Sequence, residues 1–484
     1  MKRLHWYNYI TINIYWLGLS TVAQSNGLIQ PLMIQRFIGP EGQGTAYGNL
    51  RLYTLMAALL VQALAGMLSD RSTLRWGRRR PFILVGTLLN MACIIAIGAS
   101  PTYWFLFLAA VLSQMASNIA HGAEQSLIPD LVPEDRRGRF SGMKSVMELL
   151  PVIIVALTVG SLIAKGRMWA GIMVAIGILF VSMLITMLVH EEPLKETPEP
   201  LNWKSFGRLA AMTLVFLAVI LGSGAFVKSV GNLLSGVNSL SVHLAVMGIV
   251  GLLGMVIAVV IGVWGSVRIG LGGDAARRHP SFSWWVINRL AFLVGATNLS
   301  AFAIYFLQAR LGLEGDAAAG PASKMLMLVG VLVLLFALPS GWLADKIGRK
   351  QLVALSGVVA AIGTLVLILA PGMNMIYVGG CIVGAAIGTF FTTNWALGTD
   401  IVPKAEAGRY LGVSNLAGAG AGAVGAYIGG PIADYFTAHV PQAPETGYLL
   451  IFGIYGVLFL LSSIVLMRVQ EPKPRGACSV ERGA

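Results

Sequence analysis

Apolar residues in this chain come in long blocks of about twenty, parted by short polar breaks. A block of that length crosses a hydrocarbon core of about 30 Å as a helix, and backbone groups inside such a core must satisfy one another. Six helices are expected at 9–35, 46–69, 81–99, 102–127, 141–164 and 168–190, and six more at 284–310, 322–343, 351–370, 374–396, 409–433 and 447–467. Between the two sets lie two further blocks, 208–228 and 242–268. Both are long enough to span, with an interfacial or re-entrant course as the alternative. Glu191 to Pro200 is rich in proline and charge and reads as a linker. The pattern therefore predicts an all-α polytopic membrane protein of fourteen helices. It divides into a first bundle (1–190), a central segment with an inserted pair (191–283), a second bundle (284–467) and a tail (468–484).

Composition sharpens this. Only 11% of the 484 residues are charged and 56% are hydrophobic, against about 25% charged in soluble domains. The net charge of +13 sits in short loops between blocks, which is a topology signal rather than a nucleic-acid surface. On this threading one side collects Arg71, Arg75, Arg78–Arg80, Arg136, Arg137, Arg139, Lys346, Arg349, Lys350 and the basic tail. The other receives little beyond Arg36, Lys165, Arg167, Lys228, Arg310 and Lys324. The first side, with both termini, is expected to be cytoplasmic, in an inner or plasma membrane. Cys93, Cys381 and Cys478 form no disulfide framework or metal spacing. No cofactor is implied, and no motif nominates an enzyme nucleophile.

The breaks after the second and tenth blocks share a motif. Gly66-Met-Leu-Ser-Asp70-Arg71 leads to Gly77-Arg78-Arg79-Arg80-Pro81, and Gly341-Trp-Leu-Ala-Asp345-Lys346 leads to Gly348-Arg349-Lys350. A second motif repeats behind each: Asp130-Leu-Val-Pro133 to Gly138-Arg139, and Asp400-Ile-Val-Pro403 to Gly408-Arg409. Two motifs in register imply duplicated halves related by a pseudo-two-fold axis. Gly66 and Gly341 are expected where helices approach closely. Asp70 and Asp345 are expected against the positive N-terminus of a neighbouring helix, paired with the following basic residues. Together with Asp130, Arg139, Asp400 and Arg409 they form a candidate conformational latch, a plain basic loop being the alternative.

Polar residues inside blocks are costly in lipid and nominate function. Gln114, Asn118, His121 and Gln125 share one face of the fourth helix. Lys144 and Glu148 are one turn apart in the fifth. His121, Glu124, Lys144 and Glu148 fall at similar depth and are candidates for a proton-sensitive inner gate, with a structural ion pair as the alternative. Gln24, Asn26, Gln114, Asn118, Asn298 and Tyr305 are candidates for the substrate. Arg51 is either a snorkelling cation or a gate element. Amides with few fixed charges suit a small neutral polyhydroxylated solute. The small-residue run Ala417 to Pro431 allows close helix packing or sliding.

The hinge resembles that of the major facilitator superfamily, G-x-x-x-D-[RK]-x-G-[RK]-[RK]. The first copy, with its four-residue insertion and Gly77-Arg78-Arg79-Arg80-Pro81-Phe82-Ile83, is similar to the sucrose–proton symporter group of glycoside symporters. That similarity continues at Gly122 and Leu127-Ile-Pro-Asp130-Leu131. The resemblance implies rocking of two six-helix bundles around a central site on helices one, four, seven and ten, and proton-coupled sugar uptake. Two departures stand out. Gln114 replaces the acidic residue those symporters carry in helix four, leaving Glu124 or Glu148, another coupling ion or passive transport. The inserted pair makes fourteen helices, as in the drug–proton antiporters, whose helix-five glycine signature is missing here. Efflux antiport is the alternative function.

Overall fold

The computed structural model describes residues 6–133, 136–191, 203–234, 236–237, 239–403 and 406–470. Fourteen long helices carry the fold. They are α1 (Ile14–Ile38), α2 (Gln43–Asp70), α3 (Arg80–Gly98), α4 (Tyr103–Glu124), α5 (Arg137–Val155), α6 (Met168–Thr186), α7 (Trp203–Leu234) and α8 (Leu240–Leu271). The rest are α9 (Pro280–Ala301, continued as Ala303–Leu311), α10 (Ala319–Ile347), α11 (Arg349–Leu369), α12 (Met373–Ile401), α13 (Ala407–His439) and α14 (Thr446–Val465).

Twelve of these are long and apolar enough to span a membrane, and α9 makes a thirteenth when its two parts, bent by 53°, are taken as one span. Helix α1 falls short on apolarity because Gln24, Asn26, Gln30 and Gln35 interrupt it. At 25 residues it still covers about 37 Å, and its Tyr15, Leu28 and Leu32 are buried in the first bundle. Helix α5 runs through Pro151 into a π-helical turn, Ala156–Gly160, before its last turn. Proline removes a backbone donor, and the wider turn takes up the mismatch.

Helices α1–α6 pack as one bundle and α9–α14 as another. The bundles meet along two related seams, α2 on α13 and α5 on α10. These pairings exchange under a pseudo-two-fold axis that maps α2 to α10 and α5 to α13. At the starts of α2 and α10 the seams are tight. Gly44 lies against Gly430, and Gly48 against Ala426; Gly160 lies against Ser323. Both helices run from that shared end, so Asp70 and Asp345 lie together at the opposite end of the molecule. Below, that opposite end is the hinge end and the other the far end. The inserted pair packs on α13, with further contacts of α8 to α9 and α14 and of α7 to α2 of the first bundle. Tyr427 of α13 fills the gap at Gly224, and Ile432 the one at Gly251.

Candidate functional site

At the hinge end each bundle holds one arginine between two aspartates. In the first, Arg79 pairs with Asp70 and, at 2.9 Å, with Asp130, while Arg78 reaches Asp130 at 2.7 Å. In the second, Arg349 lies 3.5 Å from Asp345 and 2.5 Å from Asp400. The two clusters are the same arrangement built twice, but differently buried: the Arg79 side chain is 3% exposed and that of Arg349 33%. Four arginines crowd residues 75–80, and nothing in their order marks Arg79 as the buried one. Arg71 donates to the Met67 carbonyl at 2.9 Å. Arg139 is exposed, and the side chain of Arg409 lies outside the described residues.

The expectation that Asp70 sits on a helix N-terminus is corrected in one respect. The carboxylate accepting from the backbone at the start of α3 is Glu191, bonded to the N–H of Arg79 at 2.8 Å and of Arg80 at 3.3 Å. Asp70 meets the Arg79 side chain instead. Glu191 closes the first bundle rather than opening a linker. Gly77, at φ 111°, turns the chain beneath it, and any side chain there would collide with the Glu191 carboxylate. Gly348, at φ 101°, makes the matching turn in open surroundings.

Gly66 borders a close approach of α2 to α4, but neither it nor Gly341 presents its own missing side chain to one. A methyl on Gly66 meets open space, and one on Gly341 an ordinary contact with Thr392 at 3.6 Å. The tight position is Gly122 of α4, where a methyl would lie 2.8 Å from the Gln62 carbonyl oxygen. The missing side chain is needed on the facing helix.

Between the ends, α1, α4 and α5 bring the predicted gate residues together around a residue the sequence did not nominate, Trp16. His121 packs edge-on against its indole at 5.1 Å, and the Lys144 ammonium stands 3.8 Å above the ring. Lys144 is only 4.0 Å from Glu148, so the cation–π contact is the closer of the two. His121 also meets Gln125 at 2.9 Å. Glu124 is 1% exposed, and neither of its oxygens has a hydrogen-bond partner among the described residues.

The substrate candidates divide. Gln24 and Gln114 are half-buried and make no side-chain hydrogen bond among the described residues; Asn26 is half-buried with its oxygen unpartnered. Gln24 lies two turns beyond Trp16 and Gln114 two turns beyond His121, so they share a depth. Asn118 is buried and donates to the Gln114 carbonyl at 2.7 Å. Asn298 and Tyr305 lie deeper, packed among the helices. Asn298 is fully buried and donates to the carbonyls of Val294 and Ala421, its amide seated in the gap at Gly425. Tyr305, also fully buried, donates to the Pro31 carbonyl across the bundle seam at 2.8 Å. Arg51 enters the same seam, against Gly422 of α13 and 5.9 Å from the Tyr47 ring. It faces the protein rather than snorkelling outward.

The far end carries a second set of bonds, all between bundles. Asp434 of α13 takes the N–H of Gly44 at 2.8 Å and of Thr45 at 2.6 Å, in the first turn of α2. A carboxylate there meets both unsatisfied donors and the positive end of the helix dipole. Around it, Gln43 donates to Tyr448 at 2.9 Å, Gln308 to Gln35 at 2.7 Å, and Arg36 pairs with Asp316 at 2.6 Å. Toward the hinge end, by contrast, no residue of α10 from 326 to 339 and none of α5 from 141 to 150 is buried. The bundles are clasped at the far end, and the stretches 326–339 of α10 and 141–150 of α5 are unburied, with burial returning at Ser340, Ala344 and Phe140 next to the hinge. Sequence reasoning missed Asp434; its signal was a carboxylate within the stretch 416–436, which is otherwise built of small, apolar and aromatic residues. It also missed Arg289 of α9, 8% exposed, which donates to Asn394 at 3.2 Å with Trp395 5.2 Å away.

The sequence profile of the Major Facilitator Superfamily matches residues 6–322 and 285–483. Among curated proteins, the minor myo-inositol transporter IolF of Bacillus subtilis (strain 168) is 31% identical over 157 residues, 31% of this chain and 34% of that one. The sucrose transport protein SUT1 of Oryza sativa subsp. japonica is 47% identical over 45 residues, 9% of this chain and 8% of that one. The chain thus spans about a third of the first relative's length and under a tenth of the second's. Two solved structures share the fold. A D-xylose-proton symporter superposes with TM-score 0.65 at 16% identity, covering 96% of this chain and 97% of its own. The nucleoside transporter NupG does so with TM-score 0.61 at 12% identity, covering 95% and 98%. Two pseudo-symmetric six-helix bundles, twelve helices long and apolar enough to cross a membrane or thirteen with the bent α9, and a profile matched along nearly the whole chain make this protein a member of the major facilitator superfamily of transporters.

Proposed function

We propose that this transporter carries a sugar or glycoside across an inner or plasma membrane by alternating access, coupled to a proton, with both termini in the cytoplasm. The observation that carries the reading is the opposed pair of clasps. Asp434 joins the bundles at one end, while the duplicated Asp–Arg–Asp clusters stand at the other, each within its own bundle. Release of one end and closure of the other exposes a central site to each face in turn. Gln24, Asn26 and Gln114 offer amides to solute hydroxyls, a chemistry in keeping with the inositol and sucrose relatives. Glu124 is the coupling residue of choice, because it is the buried carboxylate of α4 and neither of its oxygens has a hydrogen-bond partner among the described residues, so a proton exchanged there competes with no fixed bond. Lys144, beside it on α5, and His121 on α4 tune that exchange.

The test is uptake into proteoliposomes of purified protein, with sucrose, myo-inositol and a glucoside as solutes. Uptake that rises with an inward proton gradient and collapses with a protonophore supports the reading. Solute flux indifferent to the gradient removes the coupling, and absence of flux for all three removes the substrate class. Glu124→Gln is expected to retain solute exchange and lose gradient-driven accumulation.

A further inference from the structure

A cavity of about 550 Å³ opens on the outside of the second bundle, between the inserted helix α8 and the start of α9. It is separate from the transport path. Its deep wall is apolar, with Val260, Ile261 and Ile287. Its mouth is basic and aromatic, with Arg268, Arg277, Trp264 and Trp284. The mouth lies at the hinge end, since α8 finishes and α9 begins there. From Arg268 back to Val260 is two turns of helix, so the groove reaches about 12 Å into the bilayer. The arginines are held ready: Arg268 stacks 3.6 Å over the Trp264 ring, and Arg468 4.6 Å over Trp284. Among the described residues no carboxylate pairs with Arg268, Arg277 or Arg468, although Arg36, Arg79, Arg310 and Arg349 all have such partners.

The geometry points to a binding site for an anionic glycerophospholipid, its phosphate on Arg268 and Arg277 and one acyl chain along Val260, Ile261 and Ile287. Uncompensated guanidinium groups at the interface attract an anionic headgroup. Tryptophans at the same level suit the boundary between headgroup and chain, and an apolar trough below them suits a hydrocarbon chain. A soluble anion would leave the trough open, and a neutral lipid would leave the arginines without a counter-charge. The lipid would bridge the inserted pair and α9, tying the extra helices to the second bundle.

The experiment compares purified protein in phosphatidylcholine nanodiscs with and without a minor fraction of phosphatidylglycerol. Thermal melting and native mass spectrometry of retained lipid are the readouts. Wild type is expected to melt higher with phosphatidylglycerol and to retain it selectively. Arg268→Gln/Arg277→Gln is expected to bind it roughly tenfold or more weakly, at about 1 kcal/mol per interfacial arginine, and to lose the selective stabilisation. Arg75→Gln/Arg208→Gln removes the same charge from exposed positions at the same end and should behave as wild type. Equal stabilisation of wild type by the two lipids overturns the site. So does retention of the preference in the first double variant, or an equal loss in the second. Ile261→Trp narrows the trough without touching charge; it supplies the same readout if the arginine variant does not fold, and an unchanged preference in it overturns the chain-binding half.

Discussion

The Asp434 clasp gives the most direct test of the rocking motion. Its carboxylate spends both oxygens on two backbone donors of α2, at 2.8 and 2.6 Å. Each hydrogen bond to a charged group is worth about 1.5–3 kcal/mol net, and a carboxylate at a partly buried helix N-terminus adds up to about 2 kcal/mol. Asp434→Asn keeps one acceptor oxygen and loses the charge, a loss of roughly 2–3 kcal/mol. Asp434→Ala loses both bonds, roughly 3–5 kcal/mol. Because the bonds exist only while the far end is closed, the loss falls on that state. At 1.4 kcal/mol per tenfold, Asn shifts the closed-to-open ratio by roughly thirty- to hundredfold and Ala by more. Spin labels at Glu41→Cys and Gln442→Cys, both exposed at the far end, would report it in a background lacking Cys93, Cys381 and Cys478. Wild type should give one short distance, with a longer population growing from Asn to Ala. If all three proteins share one distance distribution, Asp434 is a packing residue and the clasp has no part in gating.

Other outcomes follow from the same geometry. Arg79→Ala removes the buried arginine of the first cluster, leaving Asp70 without that partner and Asp130 with Arg78, at a cost of about 2–3 kcal/mol. Arg349→Ala, in the exposed copy, should cost about 1 kcal/mol or less, and chemical denaturation in detergent would resolve the difference. Gly77→Ala meets both a left-handed backbone and the Glu191 carboxylate, whereas Gly348→Ala meets the backbone strain alone, about 1–2 kcal/mol. The melting temperature of the first should therefore fall further. Gln24→Ala and Gln114→Ala should each weaken solute binding about three- to tenfold, one hydrogen bond's worth, with melting unchanged. A lowered melting temperature at constant affinity would remove them from the site.

The helices were legible because lipid accepts few residue types, and a block long enough to cross declares itself. Asp70, Asp130, Asp345, Asp400 and Arg349 were legible for the same reason, since charge at a membrane boundary demands a partner and the repeat supplies the register. Other features leave weaker traces. Asp434 and Glu191 bind backbone N–H groups, which every sequence offers at every position but proline. Asn298 and Tyr305 have the composition of a sugar site, yet they bond to the carbonyls of Ala421 and Pro31, again invisible in sequence. Arg79 was masked by its neighbours, whose charges are equal and whose burial is not. The glycine row of α13 is resolved only by structure: Gly420, Gly422 and Gly425 each receive a different side chain, those of Phe216, Arg51 and Asn298. It is a set of sockets rather than a smooth track.

Helices α7 and α8 seat mainly on α13, with α7 also touching α2, so the extra helices travel chiefly with the second half. A fluorophore or antibody epitope placed at their connecting turn, around 236–237, is therefore carried through the whole swing of that half. It would give a lever arm for watching transport in single molecules without touching any residue that handles solute.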